Sequence, residues 1–161
     1  EPIKSEGGHA DLPFLPHEVA LCHEAHKIIK GPVSYENFLS GSGVELIYNT
    51  IRKLYHPHVK PGLTAEEIFS SNDRCSHETI KQFVTFYARC AKNYALAAFA
   101  LGGVYIAGGI AEKNTSKFSG FLEEFDKHAL KSYRNILKEI PIRIITNPDV
   151  GLLGAAYAAR Q

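Results

Sequence analysis

The sequence predicts an α/β fold in which helices outweigh strands. Three short apolar runs, at residues 8–12, 102–109 and 141–146, have strand character, and each leads into a segment of helical period. About three strands is a small number for this architecture, because such a sheet normally keeps both faces covered. The length of 161 residues suits one domain with a real hydrophobic core.

Bulk properties exclude several classes of partner. The formal charge is +1 with acids and bases interspersed, which leaves no footprint for nucleic acid or a membrane surface. The longest apolar run, around residues 94–107, is broken by Gly102 and Gly103 and is too short to span a bilayer. The cysteines Cys22, Cys75 and Cys90 are odd in number and lack metal-type spacing, which favours reduced thiols and a cytoplasmic setting. The sequence contains no methionine, and bulky Glu1 is a poor residue for initiator removal to expose. These features predict a piece of a longer protein.

The elements follow in order. After the first strand, Pro13 and Pro16 frame a turn, and residues 17–30 form a helix. Its inward face takes Val19, Cys22, Ala25 or His26, and Ile29, and Gly31 stops it. Ser34 caps a short helix through Leu39, which Gly41 ends. Ser42 and Glu45 have capping-box spacing, and Val44, Ile47, Tyr48, Ile51 and Leu54 follow at helical period. "HPHVKPG" is a loop, and Thr64 with Glu67 forms a second capping box. A long helix covers about residues 76–100 with Ile80, Phe83, Tyr87, Tyr94 and Ala98 inward, its alanine-rich end slim enough for close packing. Further helical pattern spans 116–138, and a small-residue helix at about 150–160 closes the chain. No internal repeat or low-complexity segment occurs.

Four stretches could carry chemistry, and each also has a plain structural reading. "VYIAGG" ends a buried strand in Gly108–Gly109, where bare backbone admits a flat base or a phosphate. The same pair would equally relieve a tight strand-to-helix turn. In "TNPDVGLLGAAYAA", Gly151 and Gly154 permit close helix–sheet packing. Glu36 in "VSYENFLSGSG" falls in a first helical turn, where an acid complements the helix dipole with or without a ligand. Glu6 and His9 flank two glycines in "SEGGHADL". An ionised carboxylate accepts short, strong bonds from hydroxyls and can take two from a vicinal diol, yet a surface acid and a solvated histidine have the same spacing. His17, His23, Glu24 and His26, and His56 with His58, lack any HExxH or paired-cysteine pattern, so no metal is expected.

Taken in order, "EGGH", "VSYENFLSGSG", "GGVYIAGGIA" and "IPIRIITNPDVGLLGAA" resemble the carboxyl-terminal portion of bacterial glucokinases. These are the type without the cysteine-rich zinc motif of ROK sugar kinases, and the resemblance spans nearly the whole chain. It implies an actin-like ATPase (ribonuclease H-like) architecture, with residues 1–161 forming the large lobe, incomplete at its amino-terminal end. Glu6, His9 and Glu36 match positions that hydrogen-bond glucose, and Gly108 and Gly109 match an adenosine-side glycine pair for ATP. No contact is assigned to Ser42. The implied reaction is phosphorylation of glucose at its 6-hydroxyl by Mg-ATP in a cytoplasmic homodimer. Its general-base aspartate and phosphate loops would lie outside this chain, which is therefore expected to be inactive alone. The rival expectations are a non-catalytic sugar-binding or regulatory protein and a helical dimerisation module.

Overall fold

The computed structural model describes residues 4–160. Glu1, on which the expectation about the start of the chain rests, lies outside them. The chain divides into two compact units, Glu1–Cys90 and Ala91–Gln161. The first is helical. The second holds a two-stranded parallel sheet.

The first expected strand does not form. Gly7–His9 is a single 3-10 turn, and only Asp11 makes a β-bridge, antiparallel to Ser34. Glycines are poor strand formers, Pro13 cuts the run short, and the facing segment turns helical at Tyr35, so no second strand is available for a ladder. Two backbone bonds flank the bridge. Leu12 N–H donates to Val33 O at 2.9 Å, and Tyr35 N–H donates to Ala10 O at 3.0 Å.

Helix α1 spans Val19–Ile29 after a 3-10 turn at Pro16–Glu18. Its buried positions are Leu21 and Ala25, while Val19 is exposed. The helix is rotated from the expected face because its entry is anchored by buried Glu18. Lys30, not Gly31, takes the left-handed terminating turn, with φ 54°. Helix α2 is short, Tyr35–Phe38, with Ser34 as N-cap.

Helix α3, Gly41–Tyr55, buries the expected stripe of Val44, Ile47, Tyr48 and Ile51, and α1, α2 and α4 all pack on it. Its cap is Ser40, whose Oγ accepts from Gly43 N–H at 3.1 Å, rather than Ser42. Glu45, expected to close that box, instead accepts from Ala65 N–H at the start of α4. Helix α4, Ala65–Ser70, has the predicted Thr64–Glu67 box.

Helix α5 runs from Arg74 to Ala97. In unit 1 it docks through edge-to-face aromatic pairs, Phe83 on Phe69 and Phe86 on Phe38. Ile80 and Phe83 are buried as expected, but Tyr94 and Ala98 are exposed. The small residues Ala88, Ala91 and Ala95 occupy the inward positions instead.

In unit 2, β1 (Val104–Ile106) pairs in parallel with β2 (Ile142–Ile144), Val104 opposite Ile142. Between them lie α6 (Gly109–Lys113), a 3-10 turn, α7 (Phe121–Lys127) and α8 (Lys131–Glu139). Phe118, Phe121 and Phe125 stack in a buried row. Helix α9, Val150–Ala158, follows β2; none of its residues is buried, and all after Val150 are exposed. A Cβ at Gly151 or Gly154 would meet nothing, so the expected helix–sheet contact is absent among the described residues.

Gly43 leaves no room for a side chain. A Cβ there would fall 2.4 Å from the carbonyl carbon of Phe38, so the end of α2 and the start of α3 touch backbone to backbone. Gly43→Ala should lower stability by about 1–3 kcal/mol, the usual cost of overpacking. Urea unfolding of the purified chain measures it, and a parental midpoint would show that the two helix ends part freely.

Candidate functional site

Glu6, His9 and Glu36 are brought to one locality by the tie between residues 10–12 and 33–35. The 3-10 turn is closed by His9 N–H donating to Glu6 O at 3.0 Å and Ala10 N–H donating to Gly7 O at 3.1 Å. The turn presents Glu6 and His9 together, with His9 Nε2 4.0 Å from Glu6 Oε2. Both side chains face solvent, at 91% and 71% exposure, so neither is held by packing.

Glu36 arrives from α2. Asn37 Oδ1 accepts from Ser34 N–H at 2.9 Å, which closes the first helical turn and leaves Glu36 on its outer side. A Cβ on Gly8 would lie 3.4 Å from Glu36 Oε2. The bare glycine thus lets a carboxylate come against the backbone of the turn. Two carboxylates and an imidazole thus border one turn, a set of groups suited to a neutral molecule rich in hydroxyls.

The glycine pair lies in unit 2, beyond the carboxyl end of β1. Gly108 has φ 116°, a backbone region that side chains disfavour, and Gly109 opens α6. A Cβ on either residue would meet open space. Because β1 and β2 are parallel, the loop at 145–149 leaves from the same end of the sheet. There Asp149 N–H donates to Asn147 Oδ1 at 2.9 Å. Ligands of open α/β folds sit at that end of the strands.

Comparison with known proteins gives one consistent answer. The glucokinase family model matches residues 1–161. The chain is 36% identical to a glucokinase of Hahella chejuensis, an alignment covering 99% of this chain and 51% of that protein. It is 35% identical to a Pseudomonas aeruginosa glucokinase, covering 100% and 50%. The chain belongs to the glucokinase family.

Solved glucokinases have the same fold over this stretch. One from an Antarctic psychrotroph superposes with a TM-score of 0.85 at 27% identity, covering 98% of this chain and 50% of that one. A Balamuthia mandrillaris glucokinase in complex with glucose gives 0.79 at 22% identity, covering 99% and 47%. The chain therefore spans about half the length of the glucokinases it matches.

Two features behind Glu6, His9 and Glu36 were missed by sequence reasoning. Glu18 and Arg89 form a buried two-pronged ion pair, Nη1 to Oε2 and Nη2 to Oε1, each at 2.8 Å. Burial pushes the Glu18 carboxyl up, but the bonds from Arg89, Leu15 and Gln82 outweigh it and leave the group below its ordinary value of 4.5. A depressed folded-state value means that this stabilisation is present above 4.5 and is lost as acid carries the pH below it. The second feature is an aromatic triangle of Phe14, Phe38 and Phe86, with centroids 5.2–5.7 Å apart. The one local signal was Arg89 itself, a lone cation within the apolar stretch "FVTFYARCA".

No group of three or more histidine, cysteine, aspartate or glutamate side chains among the described residues is placed to hold a metal. The thiols are poor nucleophiles: burial pushes Cys75 up to about 11 and Cys90 up to about 12. No helix among the described residues is long and apolar enough to cross a membrane.

The two glycines differ in what they demand. Gly108→Ala should cost about 1–3 kcal/mol through its backbone angle, whereas Gly109→Ala should stay within about 0.5 kcal/mol. Paired urea titrations separate them, and equal costs would show that the angle at Gly108 is not required.

Proposed function

We propose that this chain is the carboxyl-terminal part of an ATP-dependent glucokinase whose remaining half lies outside the 161 residues. The parent enzyme, of actin-like ATPase architecture, transfers the γ-phosphoryl of Mg-ATP to the 6-hydroxyl of glucose in the cytoplasm, as a homodimer. The observation that carries the reading is the placement of Glu6, His9 and Glu36 around one turn in a chain of the glucokinase family.

Glu6 and Glu36 accept hydroxyl protons of the sugar, and His9 donates or accepts beside them. Such a site rejects an analogue lacking one hydroxyl, because its own polar groups would be left unpaired. Gly108 and Gly109 leave room for the nucleotide at the end of the sheet. Magnesium would arrive on the nucleotide's phosphates, since no ligand set for it occurs among the described residues. The transfer itself depends on alignment and charge neutralisation, supplied by groups of the other half.

The surface of unit 2 supports the assignment as a part. Helix α9 is apolar on every side, as a buried helix is, yet Leu152, Leu153 and Tyr157 are 57–72% exposed. Tyr105 on β1 is exposed as well, and two strands alone make a marginal sheet. The other half of the enzyme would cover these groups. Without it, the isolated chain should self-associate.

Two measurements test the reading. In a glucokinase-length protein carrying this sequence, Glu36→Gln should remove a charge-assisted bond worth about 1.5–3 kcal/mol, a loss of roughly 10- to 150-fold in kcat/KM for glucose. An unaltered value would return Glu36 to the plain surface. The 161-residue chain alone should release no ADP with glucose and Mg-ATP in a coupled assay. Glucose-dependent release that Glu6→Ala abolishes would overturn the assignment, by showing that these residues hold the whole machinery.

A further inference from the structure

Glu6 and His9 project into solvent, so their positions are set by the backbone beneath them. That backbone continues into residues 10–15, which have no helix or ladder of their own. Arg89 supplies the missing rigidity. Its Nη1 donates both to Pro13 O and to Glu18 Oε2, and its Nη2 donates to Glu18 Oε1, each at 2.8 Å. Glu18 in turn accepts from Leu15 N–H at 2.7 Å and from Gln82 Nε2 at 3.0 Å. Both carboxylate oxygens are fully used, and one guanidinium holds the segment at two points.

Between those points Phe14 enters the triangle with Phe86 and with Phe38, which lies two residues beyond Glu36. The fork therefore locks the segment after His9 onto the same aromatic contact that seats the helix bearing Glu36. A buried ion pair is a weak stabiliser, since desolvation offsets its attraction, and its best-attested use is to fix one register. Resting on the glucose reading above, we infer that Glu18 and Arg89 are positioning residues that hold Glu6 and His9 in register with Glu36 for the sugar. They touch no substrate themselves.

The test is steady-state kinetics on a glucokinase-length protein containing this sequence. The double variant Glu18→Leu, Arg89→Met replaces the pair by apolar groups, which often leaves stability unimpaired. Its glucose KM should rise about tenfold, because orientation tolerates little displacement. Its ATP KM and thermal midpoint should stay near parental values. A folded double variant with parental glucose KM would overturn the inference, as would equal rises in both KM values.

If the double variant does not fold, Arg89→Lys keeps the charge and loses the fork. It should raise glucose KM alone by about threefold, and a parental value would overturn the inference. Glu36→Gln, measured alongside, separates the two claims. If it leaves glucose kinetics unchanged, the glucose reading fails and this one falls with it. If it impairs them while the pair variants do not, only the positioning role falls.

Discussion

The fork between Arg89 and Glu18 is the constraint that ties the segment ahead of α1 to α5. It joins residues 71 apart in sequence and brings a segment without regular structure onto α5. Removing either partner would strand a charge in a buried setting, the costly way to lose such a pair. The aromatic triangle depends on it for the placement of Phe14, and α2 depends on the triangle for Phe38. Gly43 then fixes how α2 meets α3. The exposed acids thus stand at the end of a chain of close contacts, which is how side chains without packing of their own acquire a defined place.

Elements that are stabilised locally were legible. The α3 stripe obeys helical period, and the Thr64–Glu67 box is closed by two short-range bonds. The first strand was misread because a strand needs a partner, and composition alone does not show that the opposite segment turns helical at Tyr35. Similarly, Tyr94 scores as apolar by type, whereas the packed face follows Ala88, Ala91 and Ala95. Of the candidate site, Glu6, His9 and Glu36 were found through the order of four motifs, each ambiguous alone. Their proximity is implied by the resemblance and not by spacing; in the structure it comes from the Asp11–Ser34 bridge and the bareness of Gly8. The fork was out of reach of any local pattern, since only folding makes Glu18 and Arg89 neighbours.

The two units differ in how well each satisfies its own apolar surface. Unit 1 encloses Phe38, Ile47, Tyr48 and Phe83 completely. Unit 2 buries its phenylalanine row but leaves Phe99, Tyr105 and α9 in water. A nine-residue helix has little intrinsic stability, because nucleation is costly and few bonds follow it. It is apolar on every side and yet has no buried residue among those described. The chain spans about half the length of the glucokinases it matches.

The parallel pairing of β1 with β2 also has a kinetic consequence. Parallel neighbours cannot arise from a tight hairpin, so Val104 must find Ile142 across a loop that includes α6, α7 and α8. Closing so long a loop costs entropy before any ladder bond is gained. The helical pairs of unit 1 are nearer in sequence and meet sooner. Nascent chains should therefore pass through a stage in which the helical pairs of unit 1 that lie near in sequence have met, while the Glu18–Arg89 fork and the sheet beside Gly108 and Gly109 are still open. Proteases and chaperones would encounter the second unit first.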